Sequence, residues 1–411
     1  MGEMSAELQN GEFIVSTTAF LRRNNGHSVL PETRPYRFNE RVTAGVRERD
    51  SGGSAIQDTL RRIFILGFTG NARAAVTLSG EAASRQAVCE LERAWSFWLG
   101  VSEDYERAIT VLEGLLQEPR RSTLGEREVL WIRSDIAYWH GESDATVRAQ
   151  ELFEQVANDA ASLLGRDDLC TLSARNSVAY CRGRNGDIKK ALDEYRVLAE
   201  ECEDSLGPDS RDTLMVRNNI AYWCGESGDT WGALRLFEQL LGDVESVFGR
   251  GDFYTLSARN NVAYWRGFNG DPEGAVVEYK TLLGDAGVAL GDDDYHTLST
   301  RLQIGLWNGV KGDLDYAIHS LSELLADVEE ESSMSRELEY SVRHQLARWY
   351  GVRGDRGKAV EILERLVSDQ QRTLGGSDYR TLASRGLLSR HSSRAHRKGS
   401  FHVSDRKDSS S

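Results

Sequence analysis

Proline is almost missing from this sequence, 5 residues in 411, and no stretch is both long enough and uncharged enough to cross a bilayer. The first absence lets helices run unbroken, because proline removes a backbone donor and clashes with the preceding turn. The second excludes a membrane-spanning helix. The 5 cysteines, Cys89, Cys170, Cys181, Cys202 and Cys224, are odd in number and show no C-x-x-C spacing, so neither a disulfide framework nor a zinc site is expected. Near the start, Glu3, Glu7 and Glu12 stand where an export signal needs basic residues followed by an apolar run. The expected location is cytoplasmic, in a reducing compartment.

Signatures of chemistry are missing too. A P-loop needs glycines that free backbone N–H groups and then Lys before Ser or Thr, and no G-x-x-x-x-G-K-[ST] occurs; Gly309-Val310-Lys311-Gly312-Asp313 belongs to a turn. His140, His296, His319 and His344 stand singly, without the i, i+4 pairing of a zinc hydrolase. Gly52-Gly53-Ser54 lacks the second glycine of a nucleophile elbow. Acidic runs such as Asp292-Asp293-Asp294 and Glu329-Glu330-Glu331 read as solvated ends and loops. The chain is therefore expected not to be an enzyme, with no catalytic residues, no cofactor and no metal.

Basic charge is short as well: 50 Lys and Arg face 64 Asp and Glu. The deficit lies in the middle, since residues 61–385 hold 37 basic and 54 acidic groups, whereas residues 386–411 hold 6 basic and 2 acidic. An acidic body repels nucleic acid and anionic membranes, so neither is an expected partner. The Ser-rich end, with Arg390, Arg394, Arg397, Lys398, Arg406 and Lys407, reads as a solvated tail.

What the sequence does have is a period of 42 residues. Thr-Leu followed by Arg recurs as Thr171-Leu172-Arg175, Thr213-Leu214-Arg217, Thr255-Leu256-Arg259, Thr297-Leu298-Arg301 and Thr381-Leu382-Arg385. Glu339-Tyr340-Arg343 fills the gap in register, and Val129-Leu130-Arg133 extends the series upstream. Asp168, Ser210, Asp252, Asp294 and Asp378 stand three residues before each Thr slot, where an N-cap oxygen can accept an orphan N–H. Gly-Asp recurs at 186–187, 228–229, 270–271, 312–313 and 354–355, marking a turn after a first helix. Beyond it Ala191, Ala233, Ala275, Ala317 and Ala359 lie four residues before Tyr195, Phe237, Tyr279, Leu321 and Leu363, one face of a second helix. Gly165, Gly207, Gly249, Gly291 and Gly375 then close that second helix. Such a hairpin cannot cover its own apolar stripe, and stacked neighbours must supply the cover.

These residues predict an all-α chain, an α-solenoid of stacked antiparallel helix pairs. The pattern resembles the tetratricopeptide repeat, in the long 42-residue form of kinesin light chains and many actinobacterial proteins. The resemblance spans residues 127–385 and rests on Leu206-Gly207-Pro208-Asp209, Arg217-Asn218-Asn219, Arg259-Asn260-Asn261, the Gly-Asp turn and the Ala/aromatic pair. It implies a tetratricopeptide-like superhelix whose first helices line a concave groove that holds a segment of a protein or peptide partner. Two departures stand out: the repeat exceeds the usual 34 residues, and Trp139, Trp223, Trp265, Trp307 and Trp349 fall one place early, with Cys181 in the same slot of the second unit. Fixed spacing favours interhelix packing for these tryptophans over ligand contact.

Carried onto this sequence, the groove centres on residues 171–265. Asn176, Asn218 and Asn260 form one rung and Ser177, Asn219 and Asn261 the next, with Tyr138, Tyr180, Tyr222 and Tyr264 one turn further on. An amide offers donor and acceptor together, which suits a peptide backbone of any sequence; the alternative is that the amides bond neighbouring helices. Arg175, Arg217 and Arg259, with Arg133, Arg301, Arg343 and Arg385 in the same slot, either pair with carboxylates of a neighbouring unit or form an anion-binding row. The expected divisions are an irregular segment at 1–55, a degenerate helical cap at 56–126 containing Trp95, Trp98, Asp104, Ala108 and Leu112, the repeat array at 127–390, and a basic tail at 391–411. The expected function is a non-enzymatic protein–protein interaction scaffold. The alternative is a sensor arm that acts with a STAND-type signalling ATPase or binds a short signalling peptide.

Overall fold

A computed structural model describes Thr59, Arg62, Ile63 and residues 72–399, apart from 86–88, 103, 144, 293, 331–335 and 377. Among the described residues the chain forms sixteen α-helices, one short 3-10 turn and no strand. The helices are α1 (Ala72–Arg85), α2 (Cys89–Val101), α3 (Tyr105–Leu115), α4 (Glu126–Glu142), α5 (Thr146–Leu164), α6 (Leu169–Arg184), α7 (Ile188–Leu206) and α8 (Arg211–Glu226). They continue as α9 (Thr230–Phe248), α10 (Phe253–Phe268), α11 (Pro272–Leu290), α12 (Tyr295–Lys311), α13 (Leu314–Glu330), α14 (Arg336–Arg353), α15 (Arg356–Thr373) and α16 (Tyr379–Gly399). The segment expected at 1–55 and the end of the expected tail lie outside the described residues, and α16 carries the chain through residues 391–399.

The helix boundaries follow from the repeating cap residues. Asp168, Ser210 and Asp252 cap α6, α8 and α10, their side chains accepting from the N–H of Cys170, Thr213 and Tyr254. Asp187 and Asp229 of the Gly-Asp turns cap α7 and α9 in the same way. A cap of this kind is worth about 1 kcal/mol. Gly186 at φ 101° and Gly207 at φ 88° illustrate why glycine recurs at the two corners, since a side chain rarely tolerates that backbone.

Two kinds of helix alternate. The second helices are amphipathic: α7 buries Ala191, Tyr195, Leu198 and Cys202, and α9 buries Ala233, Phe237, Leu240 and Val244 in the same slots, leaving their acidic faces to water. The first helices are covered round most of their circumference. In α6 the buried set runs from Cys170 through Tyr180 with only Arg175 half-buried in between. Cover on several sides requires several neighbours, and α6 contacts α5 and α7 as well as α4 and α8.

The described helices fall into two compact units. One holds α1 to α10 with residues 284–297, and in it each helix from α1 to α9 contacts the next. The other holds residues 272–283 and those from 298 onward, and in it α13 contacts α14, α14 contacts α15 and α15 contacts α16. The architecture is an α-solenoid of stacked helix pairs. At the head of the first unit, Ala108, Leu112 and Leu115 of α3 share a core with Ile132, Ile136 and Trp139 of α4. Asp104 caps α3 through the N–H of Arg107, so the degenerate segment forms a hairpin of the repeat type.

Candidate peptide-binding face

The face expected to hold a partner lies on α6, α8 and α10, all within the first unit. Its amides pair with one another. Asn219 Nδ2 donates to Asn176 Oδ1 at 2.9 Å, and Asn261 Nδ2 donates to Asn218 Oδ1 at 3.2 Å, each bond joining the first helices of adjacent hairpins. Asn176, Asn219 and Asn261 are buried, whereas Asn218 and Asn260 are half-buried. Tyr195 anchors the seam from behind, its hydroxyl donating to the Asn176 carbonyl at 3.1 Å. At the first joint the seam carries charge instead: Arg93 of α2 bonds Asp135 of α4 at 2.5 Å, with both side chains buried. The amide pair thus repeats at two adjacent joints, and an ion pair takes its place at the first.

Tyr180 and Tyr264 are buried and Tyr222 is half-buried. Each leans on the repeat tryptophans: Tyr180 meets Trp223 edge-on with centroids 5.8 Å apart, and Tyr222 and Tyr264 stand against Trp223 and Trp265 at 5.1 and 5.2 Å. The arginines follow one rule. Arg133, Arg175, Arg217, Arg259, Arg301 and Arg343 each reach a carboxylate 26 residues later, namely Asp159, Glu201, Asp243, Asp285, Asp327 and Asp369. That partner sits on the second helix of the same hairpin, not on a neighbouring unit. Arg217 and Arg343 add a bond to the preceding hairpin through Glu203 and Glu329. Hydrogen bonds from Arg259 and Arg250 hold Asp285 below the ordinary carboxylate range. These six arginines are thus neutralised from within, while Arg385 donates to the Gly376 carbonyl at 3.1 Å. Among the described residues no group of three or more His, Cys, Asp or Glu side chains is placed to share a metal ion.

No family profile and no curated protein sequence matches the chain. Solved structures do. The quorum sensor NprR from B. thuringiensis, in its apo form, superposes with a TM-score of 0.55 at 12% identity, over 83% of this chain and 94% of that one. A Rap protein complexed with competence and sporulation factor superposes with a TM-score of 0.54 at 14% identity, over 90% of this chain and 99% of that one. A putative kinesin light chain from Podosopora anserina, built of nearly identical TPR-like repeats, is a looser match, with a TM-score of 0.42 at 17% identity over 49% of this chain and 96% of that one. The fold is that of a tetratricopeptide-type protein.

Within that fold, two features of the tetratricopeptide units escape a reading of the sequence alone. The tryptophans seat on glycines of the preceding first helix. A Cβ on Gly183 would meet the Trp223 indole at 2.6 Å, and Gly100, Gly225 and Gly309 stand equally close to Trp139, Trp265 and Trp349. Absence of a side chain there makes a notch that the indole fills. The signature threonine acts at the other end of the first helix, where Thr171, Thr213 and Thr381 donate to the carbonyls of Gly165, Gly207 and Gly375 at 2.7, 2.8 and 3.0 Å. It ties those three first helices to the corner that ends the hairpin before them, whereas Thr255 donates to the Val244 carbonyl at 3.3 Å. Both signals recur every 42 residues and were available as period alone, without their partners.

Proposed function

We propose that the chain is a non-enzymatic interaction scaffold that takes a peptide segment of a partner protein along the first helices centred on residues 171–265. The observation that carries this reading is that Asn218 and Asn260 stand half-exposed in one slot of α8 and α10, with Tyr222 half-exposed one turn beyond Asn218, above a floor of buried amides. Asn176, Asn219, Asn261, Tyr180 and Tyr264 then form that floor and its walls, and Arg175, Arg217 and Arg259 brace it through their carboxylates. Amides and a tyrosine offer a backbone donors, acceptors and rigid contact area with little dependence on partner sequence. Helices α1 to α3 cap the exposed end of the stack. No helix among the described residues is long and apolar enough to cross a membrane, and the acidic body favours a partner without strong negative charge.

The test compares proteins captured by the full chain with those captured by a variant carrying Asn218→Ala, Tyr222→Ala and Asn260→Ala. Loss of specific partners by a variant that keeps its helix content, at a melting temperature lowered by the lost Asn218–Asn261 bond, is the expected result; equal capture removes the site. A second reading, a sensor of a short signalling peptide or the sensor arm of a STAND-type ATPase, draws on the likeness to NprR, named as a quorum sensor, and to the Rap protein complexed with competence and sporulation factor. It predicts that mass spectrometry of acid-released material from the purified chain finds a short peptide in place of a protein partner.

A further inference from the structure

The glycine notches are filled at every joint described within either unit except one. Gly100, Gly183, Gly225 and Gly309 hold tryptophans and are buried, and Gly351 lies against the ring of His391. Gly141 of α4 differs. Its slot partner on α6 is Cys181, the nearest atom to a Cβ built there is that of Ala149 at 3.5 Å, and Gly141 itself is half-exposed. Cys181 is buried with Ala137, Ala149 and Phe153 and comes no nearer than 4 Å to a Cβ built at Gly141. Burial pushes its thiol up to about 12, so it is no reactive group. Tyr138, whose counterpart Tyr180 rests on Trp223, has the Cys181 thiol in place of an indole from the next unit. At the rim the Arg184 guanidinium donates to the Gly141 carbonyl at 3.4 Å.

We propose that this notch seats an aromatic side chain of the bound segment, an inference that rests on the scaffold reading above. The occupant is argued from the chain itself, which puts an indole over the equivalent glycine at four joints. A ring there would supply the edge contact that Tyr138 lacks on that side, worth about 0.5–1.5 kcal/mol beyond area burial. Arg184 adds a cation beside an aromatic face. An aromatic anchor in a small pocket is also how peptide interfaces concentrate affinity.

The test uses the full chain and 5-fluoroindole, read by 19F line broadening, against Cys181→Trp and Cys181→Ala. The first substitution fills the notch with the residue found at the other joints; the second leaves it open. Broadening by the parent and by Cys181→Ala, reduced at least tenfold in a Cys181→Trp chain whose melting temperature is equal or higher, is the expected result. Equal broadening by Cys181→Trp, no broadening by the parent, or a lower melting temperature for Cys181→Trp each overturns the notch. The probe has no peptide backbone, so its failure leaves partner capture through Asn218, Tyr222 and Asn260 to be judged separately.

Discussion

Substituting Gly183 by Ala forces a methyl into the space of the Trp223 ring, and overpacking of this kind costs about 1–3 kcal/mol. The same change at Gly141 meets only Ala149 and is expected within about 0.5 kcal/mol of the parent in urea unfolding. A Trp223→Leu partner change should recover part of the Gly183→Ala loss, a coupling that a double-mutant cycle reads directly. His344 offers a pH test. It occupies the slot held by Asn176, Asn218 and Asn260 in earlier units, and its Nδ1 lies 3.2 Å from Ser384 Oγ. Burial, with the charges of Arg348 and Arg390, pushes the imidazole down from 6.5 to about 3. Between those values the unfolded chain holds the proton and the folded chain does not, so stability falls as pH drops through that window. From pH 7 to 5 the loss is about 2 kcal/mol, and His344→Asn should remove that part of the slope in denaturant titrations at the two pH values.

The hairpin elements owe their joints to small groups at fixed positions. Thr213→Val removes the donor to the Gly207 carbonyl without changing shape, and a loss of about 1 kcal/mol is expected in urea unfolding. The arginine braces should split by burial. Arg301→Ala breaks a half-exposed pair and is expected to cost under about 1 kcal/mol, while Arg259→Ala leaves Asp285 beside a buried site and is expected to cost about 2 kcal/mol. Comparison at low and high salt checks the split, because the exposed pair alone should weaken with added salt. At this scale much was legible beforehand. The caps at Asp168, Ser210 and Asp252, the Gly-Asp corners and the Ala/aromatic face of α7 and α9 follow from local chemistry that the period repeats. The arginine partners were not legible, since two carboxylates at different separations suit the same charge and only the hairpin geometry selects the one 26 residues on. The amide seam was legible only as one of two readings: Asn176 and Asn218 share a slot, yet one is buried and the other half-buried, because exposure depends on neighbours that the period does not encode.

For the whole molecule, a stack of like units has the sum of unit stabilities and nearest-neighbour joints as its stability. Outside the Gly141–Cys181 and Gly351–His391 joints, each described glycine notch receives a tryptophan of the next unit, so the 42-residue block is the exchangeable module, and any shorter block breaks the seam. The degenerate head shows the tolerance of this rule: Ala108 precedes Ala149 by one residue less than a full period, yet Gly100 still receives Trp139. Removal of residues 207–248, which are α8, α9 and their corners, would set Gly183 against Trp265 and Asn176 against Asn261 in the native manner. The most direct measurement is thermal unfolding of that deletion followed by circular dichroism. A cooperative transition at a lower temperature, with helix content per residue unchanged, is the predicted result. Loss of the cooperative transition, as when a globule loses part of one shared core, would contradict the modular stack on which the binding face depends.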